Sequence, residues 1–341
     1  MIHWEGHEWS LPWPSVIVGF LLLSVAPLVL FGLGVWGTLL QRGLVVLSPI
    51  LLAGTVGIGL GIRCEWWELR RVLDEGTVAG RDAQWNLLAV VGGTLLTLAG
   101  VAELGISPIG SASLVGVVAA VVVPSVAVPA YCGAFVGMTS PELFGSYWYA
   151  ALAAVLAGLL FTVVHPVFRG VGGKLGTTAF VGVLLVVVPT AGSFQSAAIP
   201  GGPVILSVVG FAALGAISTF AIHTRSAASP VLASGLVGAV GGLLLPILVD
   251  ASGGLLAAAV YSASFAGMSN PSRIPNEWWI GTTGIGVGLV VVYTSPFVGG
   301  SGGKLGTIAF GSCLGIHGTL RMLTIFQLAR RDYQAPEKET T

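Results

Sequence analysis

Two of the chain's three lysines, Lys174 and Lys304, stand in the same run, Gly-Gly-Lys-Leu-Gly-Thr. Glycines at a helix start let successive backbone N–H groups converge on one point, and the helix N-terminus adds partial positive charge there. A lysine beside such a nest completes a site for a carboxylate, a phosphate or an inorganic anion. The run is not a Walker A loop: Phe168 stands five residues before Gly173, and Leu175 replaces the required Ser or Thr. The competing reading is a tight interhelical turn whose lysine extends to the headgroups.

A second motif, Phe-x-Gly-Met-[Ser/Thr]-[Ser/Asn]-Pro, occurs at Phe135–Pro141 and at Phe265–Pro271. Thr139 and Ser140, with Ser269 and Asn270, either cap an apolar half-helix or accept a solute's hydrogen bonds. Tyr131, Phe135, Tyr261 and Phe265 precede them in fixed register, and capping alone does not require these aromatics. A solute cavity lined by interrupted helices accounts for more of the pattern. His317 and Arg321 lie four apart, on one helix face within or near an apolar run. Ionisable groups there are costly and carry a functional expectation. His165, His223, Arg225 and Asp250 fall at the ends of apolar runs and read as interfacial.

Catalytic chemistry finds no support in these residues. Paired carboxylates within a span, HExxH and zinc-ligand spacing are all missing from the sequence. Cys64, Cys132 and Cys313 share no metal spacing and read as small apolar fillers. The expectation is therefore no enzyme, no cofactor and no metal. Fourteen basic residues balance fourteen acidic ones, which leaves no basic footprint for nucleic acid.

The elements that must position these residues belong to a bilayer. Of 341 residues, 55% are hydrophobic and 8% charged, and mean hydropathy is +0.94. Soluble domains carry roughly a quarter charged residues, so this chain lacks the charge to coat a water-exposed surface. Its 51 glycines suit helices that approach closely in lipid. Apolar runs predict spans at Ser15–Leu39, Leu44–Ile62, Leu87–Leu104, Leu114–Val128, Trp148–Val167, Leu175–Val188, Val204–His223, Pro230–Val249, Trp278–Val292 and Leu305–Leu328. Trp4, Trp9 and Trp13 precede the first span as an interfacial belt. Ala130–Met138 and Gly254–Met268 are too short to cross comfortably, and such pieces often form solute sites. Arg63–Asn86 reads as a polar loop with a short interfacial helix that turns Trp66 and Trp67 to the headgroups.

The sequence also repeats itself. Residues 131–180 and 261–310 align without a gap at 18 of 50 positions, including Tyr131/Tyr261, Met138/Met268, Trp148/Trp278, Pro166/Pro296 and Lys174/Lys304. Upstream, Leu114–Pro124 matches Leu236–Pro246 at a spacing of 122. These coincidences among scarce residues indicate a duplication. Residues 131–138 and 261–268 are then expected to approach each other about a pseudo-twofold axis near the bilayer midplane. If both short segments dip in and return, ten spans result and the copies are parallel; if both cross, twelve result and the copies are inverted. Either way the termini share one side, which Arg63–Asn86 and the basic tail place in the cytoplasm.

The sequence thus predicts an all-α, polytopic transmembrane helical bundle of 10–12 segments in the cell membrane, with an internal duplication containing short interrupted helices. Its parts are a polar Trp-rich tail (1–14), N-terminal helices with a polar loop (15–104), repeat 1 (105–200), repeat 2 (201–328) and a polar, disordered tail (329–341). The expected partners are the lipid bilayer and a small solute or ion, and a homo-oligomer is compatible with this reading. The function expected is a carrier or channel for that solute, with anions among the candidates, bound between the repeats. The alternative is a non-transporting membrane subunit or sensor, with a membrane enzyme third.

Overall fold

Prolines and serines set the element boundaries. The computed structural model describes residues 9–10, 12–40, 48–74, 78–79, 83–249 and 251–334. Trp4, position 77, Asp250 and the last tail residues, Lys338 among them, lie outside the described residues. Ser107 and Ser229 each accept a hydrogen bond from a backbone N–H three residues on, and each is followed by a proline at the first helical position. That pairing of a side-chain cap with a preset φ starts two helices at the 122-residue spacing. Ser146 and Asn276, 130 residues apart, cap two more through the N–H of Trp148 and Trp279.

The helices are α1 (Trp13–Leu40), α2 (Ser48–Asp74), α3 (Ala83–Ala102), α4 (Pro108–Val122), α5 (Ala127–Gly137), α6 (Pro141–Phe144), α7 (Tyr147–Val163), α8 (Lys174–Val187), α9 (Gly202–Arg225), α10 (Pro230–Leu248), α11 (Gly253–Gly267), α12 (Glu277–Tyr293) and α13 (Lys304–Gln334). A two-residue antiparallel ladder joins β1 (Trp9–Ser10) to β2 (Val78–Ala79). The described chain is otherwise helical. Five helices, α1, α3, α9, α10 and the Lys304–Leu328 part of α13, are long and apolar enough to cross a membrane. The shorter apolar helices α4, α5, α7, α8 and α11 pack among them.

Three expected boundaries move. The expected span Leu114–Val128 is broken: α4 stops at Val122, a single 3-10 turn follows at Pro124–Val126, and α5 begins at Ala127. Pro124 has no N–H to continue α4. The short interfacial helix expected within Arg63–Asn86 is instead the end of a longer one, because α2 runs unbroken through Ile62 to Asp74. Its buried stripe of Leu51, Ile58, Glu65 and Leu69 keeps one face against the bundle. Trp66 packs on Phe20 at 5.6 Å between ring centroids, whereas Trp67 is exposed. The tail expected to be disordered from residue 329 continues as helix to Gln334.

Packing follows one pattern twice. α3 lies against α5 and α7 as α9 lies against α11 and α12, and α4 lies against α5 as α10 lies against α11. α1 and α2 lean on α13. Between the two sets, three helix pairs meet with opposite chain direction. In α10, Gly235 faces Val117 of α4 while Gly242 faces Ile109. Tyr131 of α5 meets Phe265 of α11, and Phe135 meets Tyr261. In α8, Gly173 faces Phe310 of α13, while Gly303 faces Phe180. The last pair crosses at Gly176 and Gly306, where a Cβ on either would stand 2.5 Å from the other's Cα.

The distribution of polarity is opposite to that of a soluble domain. Leu96, Leu206, Val240 and Ile247 are each more than 60% exposed, while the hydroxyls of Thr94, Ser111, Thr177, Ser234, Ser264 and Thr307 are buried. Thr94 Oγ1 bonds both Val90 O in the preceding turn and Gly133 O on the neighbouring helix at 2.9 Å. Such an exterior is compatible with lipid as its solvent.

Candidate functional site

At the centre stand four aromatic rings from α5 and α11. Phe135 and Phe265 have centroids 4.8 Å apart, and Tyr131 and Tyr261 flank them, each 4.5 Å from the phenylalanine of its own helix. Both tyrosines are fully buried, with rings lying against Gly116 and Gly238 respectively. Tyr131 Oη is 3.1 Å from Ser234 Oγ, which is 2.9 Å from Ser264 Oγ. The four sequence-selected aromatics therefore meet in one cluster.

Phe135 and Phe265 form a common wall between two cavities. One, of about 410 Å³, is lined by Lys174 and its glycine turn, with Met268, Ser229 and His165. The other, of about 380 Å³, is lined by Lys304 and its glycine turn, with Met138, Ser107 and Ser301. The linings correspond: Gly170, Val171 and Gly173–Gly176 to Gly300, Ser301 and Gly303–Gly306 and Met268 to Met138 at 130, and Ser229 to Ser107 at 122. Each cavity is faced by the starts of two helices, α8 and α10 in the first and α13 and α4 in the second. Helix starts carry partial positive charge.

The glycine turns are strained in the same way. Phe168 has φ 52° and Val298 has φ 44°, left-handed values unfavourable for an aromatic and a β-branched residue, and Gly173 and Gly303 both sit at φ 81°. Such backbone persists only where its surroundings hold it. Here the holders are the second motif's hydroxyls, each from the other half of the chain. Gly302 N donates to Thr139 Oγ1 and Gly172 N to Ser269 Oγ, both at 3.0 Å. Ser140 N donates to Gly300 O at 2.8 Å, and Asn270 N to Gly170 O at 2.9 Å. Thr139, Ser140, Ser269 and Asn270 thus clasp the opposite lysine turn.

Neither lysine extends along the surface. Lys304 Nζ donates to Thr294 O at 2.8 Å and Phe297 O at 2.6 Å, at the end of α12 and in the turn after it. Lys174 Nζ donates to Val167 O at 2.5 Å and His165 O at 3.2 Å. Among the described residues neither ammonium has a carboxylate within ion-pair distance. Each has a third hydrogen to give, and each lines its cavity.

The cavities open at ends of opposite character. At the end of the Lys174 cavity, Arg273 is paired with Glu65 of α2 at 2.5 Å and donates from Nε to Arg169 O at 2.9 Å. His317 Nδ1 lies 3.1 Å from Arg273 O, and its Nε2 lies 3.7 Å from Glu65 Oε1. His317 is buried, but Arg321 one turn on is exposed, so the two do not share an interior site. At the other end the Ser140 hydroxyl donates to Glu142, and Gln195 Nε2 donates to both at 3.1 and 3.3 Å. The Ser140 hydroxyl holds the Glu142 carboxyl below the usual carboxylate range.

Sequence reasoning missed Glu65, Arg273 and Gln195. Glu65 had a signal, since it falls on the apolar stripe Leu51/Ile58/Leu69 of its helix. Arg273, which is 208 residues from Glu65, had none. Among the described residues, no group of three or more His, Cys, Asp or Glu side chains is placed to hold a metal ion. Compared with protein-family models, curated proteins and solved structures, the chain matches none.

Proposed function

We propose that this protein is a multi-pass membrane carrier or channel for a small anion, built as an inverted duplication in which α3–α8 and α9–α13 are the two copies. The observation that carries the reading is the pair of corresponding cavities that share Phe135 and Phe265 in their linings, each lined by a lysine that has no carboxylate partner among the described residues. An ammonium kept from bulk water is costly unless its charge is answered. Two carbonyls answer part of that charge, and a transient anion completes it. The helix starts facing each cavity act in the same sense. Closure by two rings, with open space on either side, is the arrangement expected of a path that alternates or gates.

The antiparallel pairing of α4 with α10, α5 with α11 and α8 with α13 supports inversion. Twelve crossings follow, with α4 and α5 both crossing as short helices. Arg63, Arg70, Arg71, Arg169, Arg225, Arg273, Arg321 and Arg330 then share one end, which the positive-inside rule assigns to the cytoplasm of a cell-membrane protein.

Flux into liposomes tests the reading, with chloride, sulfate, phosphate and a small carboxylate as probes. Wild-type protein should carry at least one of them, and Lys304→Gln should lower that flux about tenfold, the scale of one charged hydrogen bond. Phe135→Leu with Phe265→Leu should raise passive leak of the same anion. If neither the wild type nor the double variant exceeds protein-free liposomes for any probe, transport is refuted and a non-transporting subunit becomes the better reading.

A further inference from the structure

The two cavities correspond, but their mouths do not. Beside the Lys174 cavity, and sharing Arg169 and Gly170 with it, lies an open bowl of about 340 Å³. Arg169, Arg273 and Arg321 surround it, with Asn270 and Ser272 between them. Arg273 is fixed by Glu65 and by Arg169 O. Arg169 and Arg321 have no ion-pair partner among the described residues. The carboxylate on the rim, Glu68, lies 3.6 Å from Arg71.

At the opposite mouth the positions 130 residues away carry different chemistry. Gly299 stands for Arg169, Ser140 for Asn270, Glu142 for Ser272 and Leu143 for Arg273. Among the described residues no arginine replaces those lost, and the Ser140–Glu142–Gln195 group adds a carboxylate. Duplication alone would give matching mouths, so the difference needs a cause that acts at one end.

We infer that the bowl formed by Arg169, Arg273 and Arg321 is a capture site for a soluble multivalent oxyanion of the sulfate or phosphate class, which loads the Lys174 cavity from that end. This rests on the anion reading proposed above and names its ligand class and direction. Guanidinium forks match the flat edges of oxyanions and hold them through paired N–H groups, which a spherical halide cannot use equally. A concave wall of one charge sign also concentrates counter-charged ligands at its mouth. The carboxylate at the far end disfavours entry there. Loading is therefore favoured from the arginine end.

The test measures radiolabelled sulfate binding to the full-length protein in nanodiscs made of phosphatidylcholine alone, and in discs that also contain phosphatidylglycerol. Wild-type protein should bind sulfate saturably in both, more weakly as salt rises. Arg169→Gln with Arg321→Gln should weaken binding by about tenfold or more, as loss of charged hydrogen bonds does. Both side chains are exposed, so the variant should fold, and thermal unfolding checks that it does. Equal binding by the double arginine variant overturns the capture site, while the anion reading stands if Lys304→Gln still lowers flux. Loss of sulfate binding only in phosphatidylglycerol discs shows a lipid headgroup to be the occupant and also overturns it.

Discussion

The ammonium of Lys304 bridges Thr294 O at the end of α12 and Phe297 O in the turn beyond. Lys174 does the same with carbonyls of the matching turn. These bonds fasten a turn that already contains a strained Val298 or Phe168. On the sequence alone, neutralising the lysine in a glycine nest should change solute affinity and leave the fold alone; the carbonyl bonds revise that. Lys304→Gln should also lower folding stability by about 1–3 kcal/mol, read as a shift in thermal unfolding of detergent-solubilised protein. Lys304→Arg should be no better tolerated, because a planar fork cannot occupy the place of a compact ammonium between two carbonyls of one turn. Unchanged unfolding in both variants would show that the carbonyl bonds are incidental. The lysines were legible in the sequence because they recur in one setting. The clasp by Thr139 and Ser269 was half legible: the hydroxyls announced a cap, but the N–H groups they accept from lie 163 and 97 residues away.

At the scale of elements, the crossing of α8 and α13 sets how closely the two halves approach. Gly176 and Gly306 touch through backbone, so a methyl on either has no space unless the helices part. Gly306→Ala should destabilise by about 1–3 kcal/mol, the usual cost of overpacking. Gly32→Ala, in α1 with nothing within 4 Å of its added methyl, should be neutral or gain up to about 1 kcal/mol of helix propensity. Thermal unfolding of the two variants side by side makes the comparison; equal shifts would mean that the crossing has slack. Hydropathy located the apolar helices because lipid selects for length and composition. It cut α2 at Ile62, since a polar sequence from Arg63 onward looks like a separate interfacial helix when the partner that keeps Glu65 buried, Arg273, is remote in the chain. It also ran through Pro124, where a backbone break inside an apolar run leaves the average hydropathy unchanged.

For the whole molecule, the proposed inverted duplication predicts that equivalent positions of its two copies face opposite sides. Glu142 and Ser272 are such a pair, 130 residues apart and both exposed, Glu142 in α6 between α5 and α7 and Ser272 between α11 and α12. Each lies in a segment tied to the other copy's lysine turn, Ser140 N to Gly300 O and Asn270 N to Gly170 O. The two segments therefore sit at the two ends of the bundle, with the arginines at the end of Ser272. Orientation follows from charge: with Arg169, Arg273 and Arg321 in the cytoplasm, Glu142 faces outward. Single cysteines at the two positions decide both points, in a background where Cys64, Cys132 and Cys313 are replaced by serine or alanine. An impermeant maleimide should label Glu142→Cys in intact cells, and Ser272→Cys only after permeabilisation. The reversed result would keep the inversion and overturn the orientation. Labelling of both from the same side would mean that the copies are parallel. In that case the antiparallel helix pairs could not be true contacts, and two cavities opening at opposite ends of one path would have no basis.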